Sequence, residues 1–136
     1  MLFNRINFAQ EVGYWDTRFG GNNFDNPTYN FVYAIAAVDS DEIYTGGLLN
    51  LNGKRRDLVK WNGSGWSPLG RGGIGSVQAL KVIENDLYLG GGFAKVDNVI
   101  PANNIAKWNG HEWSALSSGV NSQVYALAFC GDDLYV

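Results

Sequence analysis

The sequence repeats itself at a step of about 47 residues. Residues 61–69, with the sequence WNGSGWSPL, return as residues 108–116, with the sequence WNGHEWSAL. The stretch VQAL at 77–80 returns at the same step as VYAL at 124–127. A period of 40 to 50 residues is typical of repeat architectures, in which each unit buries its apolar face against the next. The repeat therefore constrains the fold more strongly than any single motif in the chain.

Each repeat unit is predicted to contain four short strands and no helix. In the clearest unit, Asn109-Gly110 is the signal of a tight hairpin, and a run of glycines at 90–92 is expected to end the second strand. A longer loop is expected over 93–103. No window places apolar residues at helical spacing. The four strands are predicted at 77–82, 87–89, 104–108 and 112–116.

Two tryptophans in each unit fit the hairpin between strands three and four. If residues 62–65 form a four-residue loop, Trp61 and Trp66 are direct cross-strand partners, an arrangement that stabilises a two-stranded ribbon. Trp61 and Trp108 are then expected at equivalent, largely buried positions. The alternative is that the rings form a stacking platform for sugars or bases.

Four strands per repeating unit is the composition of a β-propeller blade. The residues also resemble the kelch repeat, with a di-glycine on strand two, an aromatic residue closing strand three, and Trp-x-x-Leu on strand four. The matching residues are Gly46-Gly47, Trp61, Trp66 and Leu69 in one unit and Gly90-Gly91, Trp108, Trp113 and Leu116 in the next. Residues 102–110 are similar to propeller repeats of secreted bacterial surface proteins and of fungal cortical polarity markers. This resemblance implies a fold and leaves the function open, because such propellers host binding and catalysis alike.

The chain is thus predicted to be all-β, a β-propeller fragment of about three four-stranded blades within one partial domain, 1–136. Because a propeller ring has about 4–8 blades, we expect either a longer propeller or completion by a second copy. The expected partners are therefore the missing blades or a second copy of the chain. The predicted units are a half blade at 9–20, blades at 32–69 and 77–116, and a half blade at 124–136.

No catalytic residue, metal ligand or cofactor is assigned from the sequence. His111 is the single histidine and is expected to face solvent in a hairpin loop. Cys130 is the single cysteine and is expected to be buried at the end of an inner strand, where cysteine acts as a small apolar residue. One histidine and one cysteine do not make up a Cys/His zinc site.

Charge and hydropathy limit the partners and the location. The net charge of −3 argues against a general nucleic-acid binder, which carries a basic face. The one basic run, Lys54-Arg55-Arg56, is predicted in a solvated loop between strands two and three. No segment reaches 18 consecutive apolar residues, so no membrane span is predicted, and residues 1–10 lack a signal-peptide pattern. Low cysteine with abundant glycine favours an extracellular or cell-surface location.

Any ligand is expected at the loops that share one face of the units, because function in such scaffolds is carried by loops. These loops are predicted at 48–57, 70–76, 93–103 and 117–123. The candidate ligand-binding residues are Asn50, Asn52, Arg55, Arg71, Asp97, Asn98 and Asn121.

The sequence favours a non-catalytic binding or structural module of a larger secreted or cell-surface protein, with a protein or glycan ligand. Two alternatives remain open. One is a lectin-like propeller with one shallow glycan site in each blade, and the other is part of a glycan-active propeller enzyme. A lectin would keep the same polar residues in every blade, whereas an enzyme would break the repeat at its catalytic loops.

Overall fold

The computed structural model describes residues 31–136, which consist of β-strands, turns and connecting segments. Strands account for 56% of these residues, and none of them is helical. The all-β prediction is confirmed for this part of the chain. A helix long and apolar enough to cross a membrane is likewise not found among these residues. The half unit predicted at 9–20 lies outside the described residues.

Two four-stranded antiparallel sheets dominate the structure, and neither closes on itself. The first sheet has the order β1-β2-β3-β4, and it comprises β1 (Phe31–Ala37), β2 (Ile43–Leu51), β3 (Lys54–Trp61) and β4 (Trp66–Pro68). The second has the order β5-β6-β9-β10, and it comprises β5 (Ser76–Ile83), β6 (Asp86–Gly92), β9 (Ile105–Trp108) and β10 (Trp113–Ala115). Two small hairpins are formed by β7 (Lys95–Val96) with β8 (Ile100–Pro101), and by β11 (Ala128–Cys130) with β12 (Asp133–Tyr135).

The tryptophan hairpins have the predicted cross-strand pairing. Trp61 lies opposite Trp66 with ring centroids 5.6 Å apart, and Trp108 lies opposite Trp113 at 5.1 Å. Trp61 is buried, whereas Trp108 is only partly buried and packs against the core cluster between the sheets. Both pairs are therefore parts of the packed fold, which argues against an exposed stacking platform.

The connection between strands two and three differs from the prediction in the first sheet. The basic run Lys54-Arg55-Arg56 belongs to β3 and not to a loop. The reason is a two-residue turn at Asn52-Gly53, where both residues have positive φ, 53° and 72°. Asn-Gly adopts that conformation readily, and the turn lets the two strands pair to their ends.

Three further predictions about local structure are wrong in detail. The glycines 90–92 are the last three residues of β6 and do not follow it, because all three remain paired with β5. The loop at 93–103 contains the hairpin β7–β8. Cys130 is exposed, because Phe129 is the residue of β11 that turns toward Tyr88, and its neighbour in the strand points to the opposite face.

The main core lies between the two sheets. Side chains of both sheets form one buried cluster there, with Tyr44 and Leu58 from the first sheet and Val77, Leu87 and Leu89 from the second. The packing of one sheet on the next therefore supplies most of the apolar burial in the described residues, and the interface between sheets is the feature on which any site depends.

Candidate functional site

The two sheets meet through a glycine on strand two of one unit and a valine on strand one of the next. A β-carbon at Gly46 would overlap Cγ1 of Val77 and would lie 3.5 Å from Cδ1 of Leu80. The same contact recurs one repeat later. A β-carbon at Gly90 would overlap Cγ1 of Val124 and would lie 3.6 Å from Cδ2 of Leu127. The absence of a side chain on strand two is thus what lets the next strand approach.

The residues that surround this contact form two rows, which recur with the repeat. One row, here called the valine row, lies on strand one and receives the preceding unit. Its members are Val77, Leu80 and Val82 in the second sheet and Val124, Leu127 and Phe129 in the segment that leads into β11.

The other row, here called the tyrosine row, faces the following unit. Directly opposed residues in antiparallel strands share a face, so the pairs Ala34–Gly46 and Ala36–Tyr44 place these side chains toward the second sheet. In the second sheet the equivalent residues are Ala79, Lys81 and Tyr88. The ring of Tyr88 meets Phe129 edge-on with centroids 4.9 Å apart. Each tyrosine row therefore packs on the valine row of the next unit.

The linkers between units are held by two buried or partly buried polar side chains at equivalent positions. Asp57 is buried, and its Oδ2 accepts hydrogen bonds from the backbone N–H groups of Ile74 and Gly75, both at 3.2 Å. Its Oδ1 lies 3.7 Å from Nε of Arg55. A carboxylate that accepts two backbone N–H groups fixes the linker and satisfies donors that would otherwise be buried without partners.

Asn104, 47 residues after Asp57, also binds the linker that follows its unit, through its amide nitrogen. Its Oδ1 accepts from the backbone N–H of Phe93 at 3.2 Å, and its Nδ2 donates to the carbonyl oxygen of Val120 at 2.9 Å. The neighbouring Asn103 donates to the carbonyl oxygen of Ser118 at 2.9 Å. Each unit is thus tied to the linker that follows it by a side chain on strand three or just before it.

A shallow depression lies beside each of these linkers. The first has a volume of about 410 Å³ and is lined by Arg55, Asp57, Gly73, Ile74 and Gly75. The second has a volume of about 310 Å³ and is lined by Asn103, Asn104, Ser118, Gly119, Val120 and Asn121. Their volumes are at the lower end of the range for small-molecule sites. Most of their polar side chains already bind the linker, so few donors or acceptors remain for a ligand.

The hairpin β7–β8 brings two of the predicted binding residues, Asp97 and Asn98, to the first linker, which contains a third, Arg71. The backbone N–H of Arg71 donates to Oδ1 of Asp97 at 2.6 Å, and Nδ2 of Asn98 donates to the carbonyl oxygen of Gly72 at 3.3 Å. Asp97 and Asn98 both have positive φ, 54° and 63°, which the turn of this hairpin requires. These side chains therefore have a structural task at the linker.

The other predicted binding residues are distributed around these depressions. Asn50 lies opposite Arg55 in the pairing of β2 with β3, and Arg55 lines the first depression. Asn52 is exposed at the turn that joins β2 to β3, and Asn121 lines the second depression. The structure thus brings Arg55, Arg71, Asp97 and Asn98 to one linker region, whereas Asn121 belongs to the equivalent region of the next unit.

An ion pair also recurs at equivalent positions in the two sheets. Nζ of Lys60 lies 3.0 Å from Oε1 of Glu42, and Nζ of Lys107 lies 2.8 Å from Oδ2 of Asp86. The Tyr44 hydroxyl donates to Glu42, and this bond, with the nearby Lys60 ammonium, lowers the pKa of the Glu42 carboxyl. Burial, and then the Glu42 carboxylate, raises the pKa of Tyr44 far above its usual value. The hydrogen bond to Asp86 raises the pKa of Lys107.

Metal-ligating side chains do not cluster in the described part of the chain. Within 31–136, no group of three or more His, Cys, Asp or Glu side chains could hold a metal ion. His111 is exposed in the hairpin between β9 and β10, as predicted, and Cys130 is exposed on β11. The features that recur in the described residues are the apolar rows between units and the linkers held by polar side chains.

Sequence reasoning missed the residues that join the units. The 47-residue step relates Asp57 to Asn104, and both carry a side-chain oxygen that accepts a backbone N–H. The same step relates Val77 to Val124. These pairs were visible as repeats, but only the structure shows that they hold a linker and receive a glycine.

Comparisons with known proteins give no match that adds to these observations. No protein-family model matches the chain, and neither a curated protein nor a solved structure matches it.

Proposed function

We propose that the chain is a non-catalytic β-propeller module, part of a larger secreted or cell-surface protein, that stacks four-stranded units to present binding surfaces. The observation that carries this proposal is the contact between a tyrosine row and a valine row, which occurs twice with equivalent residues. The kelch-like residues of both units support the same reading. Units that stack in this way bury their apolar faces only against neighbours and gain stability from that contact.

The test is a double-mutant cycle at the contact of Gly46 with Val77. Gly46 does not have a positive φ, so alanine is strained there only by the overlap with Val77. Gly46→Ala should lower the free energy of unfolding by about 1–3 kcal/mol, the usual cost of overpacking. Val77→Ala removes the overlapping methyl groups, so the double variant should be more stable than the sum of the two single losses predicts.

Gly65→Ala is the matched control for this cycle. Gly65 has no positive φ, and a β-carbon there would meet no atom within 4 Å. Urea unfolding of the four proteins gives the comparison. If Gly46→Ala is as harmless as Gly65→Ala, or if the two interface changes add without coupling, the units do not depend on this contact and the stacking module is refuted.

A glycan-binding propeller is the second candidate, because a shallow polar depression recurs at both linkers. Titration calorimetry with oligosaccharides tests it, with Arg55→Ala as the variant in the first depression and Asn98→Ala as the variant beside it, at Gly72 of the linker. Binding that these substitutions weaken would favour a lectin. An absence of binding, with the interface coupling intact, would leave the stacking module as the better account.

A further inference from the structure

The described residues contain a third copy of the valine row, and this copy is uncovered. It consists of Val32, Ile35 and Ala37 on β1, and its spacing along the chain is the same as that of the two covered rows. Val77 and Val124 are 0% and 5% exposed under their glycines, whereas Val32 is 47% and Ile35 is 58% exposed. Residues 31–136 therefore cover this surface at two positions and leave it exposed at a third.

A third tyrosine row is also uncovered, near the other end of the described residues. It consists of Ala126, Ala128 and Tyr135, which correspond to Ala34, Ala36 and Tyr44 of the first sheet. Tyr44 is buried and Tyr88 packs on Phe129, but Tyr135 is 57% exposed. Small residues on strand one and a tyrosine on strand two thus form a ready packing surface without a neighbour among the described residues.

We propose that these two open rows bind each other between two copies of the chain, so that the tyrosine row at 126–135 of one copy packs on β1 of the next. The contact would continue an interface that the chain already makes twice within itself, with alanines against valine and isoleucine and with Tyr135 over Ala37. The two surfaces differ, so the contact is heterologous and leads to a closed ring or an open series of copies. This inference rests on the proposed stacking function.

The test uses two variants that each block one surface. Ile35→Glu places a charge in the open valine row, and Tyr135→Glu places one in the open tyrosine row. Both positions are exposed within a single copy, so folding is retained, but the contact would bury an unpaired charge and weaken association by about a hundredfold. Val99→Glu is the matched control, because Val99 is equally exposed but lies in the β7–β8 turn, away from both rows.

Sedimentation velocity across a range of protein concentrations distinguishes the outcomes. The unchanged chain and Val99→Glu should associate, and each blocking variant alone should be monomeric. An equal mixture of Ile35→Glu and Tyr135→Glu should form a complex of two chains and no larger species, because one intact surface of each kind remains. Circular dichroism of each variant shows that it is folded.

Three results would overturn the inference. They are a monomer for the unchanged chain at every concentration, association that survives both blocking variants, and a mixture that stays monomeric although both partners are folded. A contact of β1 with β1 would instead be lost in Ile35→Glu alone and kept in Tyr135→Glu. The cycle at Gly46 and Val77 is measured within one chain, so it can succeed while this inference fails, and the two proposals are separable.

Discussion

Removal of the Asp57 carboxylate should destabilise the first linker more than removal of any other polar side chain that binds this linker. The side chain is buried and accepts two backbone hydrogen bonds, from Ile74 and Gly75, each at 3.2 Å. Hydrogen bonds to charged groups contribute about 1.5–3 kcal/mol each, and these are long for their type, so each is assigned the lower value. Asp57→Ala should therefore lower the free energy of unfolding by about 3 kcal/mol.

Two comparisons sharpen this expectation. Asp57→Asn keeps an oxygen that can accept both N–H groups but removes the charge, so a loss of about 1–1.5 kcal/mol is expected. Asn104→Ala removes two neutral hydrogen bonds, one to the next linker and one to Phe93, at about 1 kcal/mol each, so its loss should fall near 2 kcal/mol. Exposed Asp132 is the control, and Asp132→Ala should change stability by less than about 0.5 kcal/mol.

The assay is urea unfolding, with amide hydrogen exchange as a local readout. In Asp57→Ala the amides of Ile74 and Gly75 should exchange faster by more than the change in global stability explains, because their hydrogen-bond acceptor is gone. The reasoning is refuted if Asp57→Ala loses no more stability than Asp132→Ala. It is also refuted if the two amides keep their protection, since the carboxylate then does not hold the linker.

Two further predictions concern the first sheet. Because burial and Glu42 raise the pKa of Tyr44, the unfolded chain releases this proton first, so the contribution of Tyr44 to stability should be constant below pH 10 and fall above it. The alkaline loss of stability should be smaller in Tyr44→Phe, and equal alkaline unfolding of the two proteins would contradict this. The hydroxyl of Thr45 is buried without a hydrogen-bond partner, and the equivalent residue in the second sheet is Leu89. Thr45→Val should therefore raise the free energy of unfolding, measured by urea unfolding, by about 1 kcal/mol. A lower free energy of unfolding would mean that the hydroxyl does have a hydrogen-bond partner.

The features that the sequence predicts well are those that depend on residues close together in the chain. The four-residue loop at 62–65 places Trp61 opposite Trp66 whatever the rest of the fold does. Strand alternation over 77–82 likewise predicts most of β5, although a bulge between Val77 and Ala79 breaks the alternation and brings Val77 to the face of Leu80. Asn52-Gly53 carried an equally strong hairpin signal, and reading it as part of a loop is what misplaced the basic run 54–56.

The features that could not be predicted depend on contacts between units. Glycines 90–92 look like the end of a strand, because glycine weakens a strand when there is space for a side chain. In the structure Gly90 has no such space, since Val124 of the next unit occupies it. The hairpin β7–β8 is formed by strands of two residues, too short to show alternation, and its turn is fixed by contacts of Asp97 and Asn98 with a distant linker.

The candidate binding residues were chosen because polar loop side chains are often free to bind a ligand. Asp97 and Asn98 instead hold the backbone of residues 71 and 72, a contact across 26 residues of chain that no local pattern announces. Arg55 belongs to a strand. The sequence could therefore predict that these polar residues lie near the connections between units, but it could not say which polar groups the fold itself uses.

The glycines at positions 46 and 90 would also affect the curvature of any longer array of units. Each sets how closely two successive sheets approach at one point, while the row beside it contains larger side chains, so the spacing across the interface is uneven. An uneven spacing repeated at every interface tilts each sheet by the same sense and amount, and the tilts accumulate into curvature. The side-chain volume at positions 46 and 90 would thus set the radius of curvature of the whole array. A single methyl group added there would separate the two sheets locally and change the angle between them.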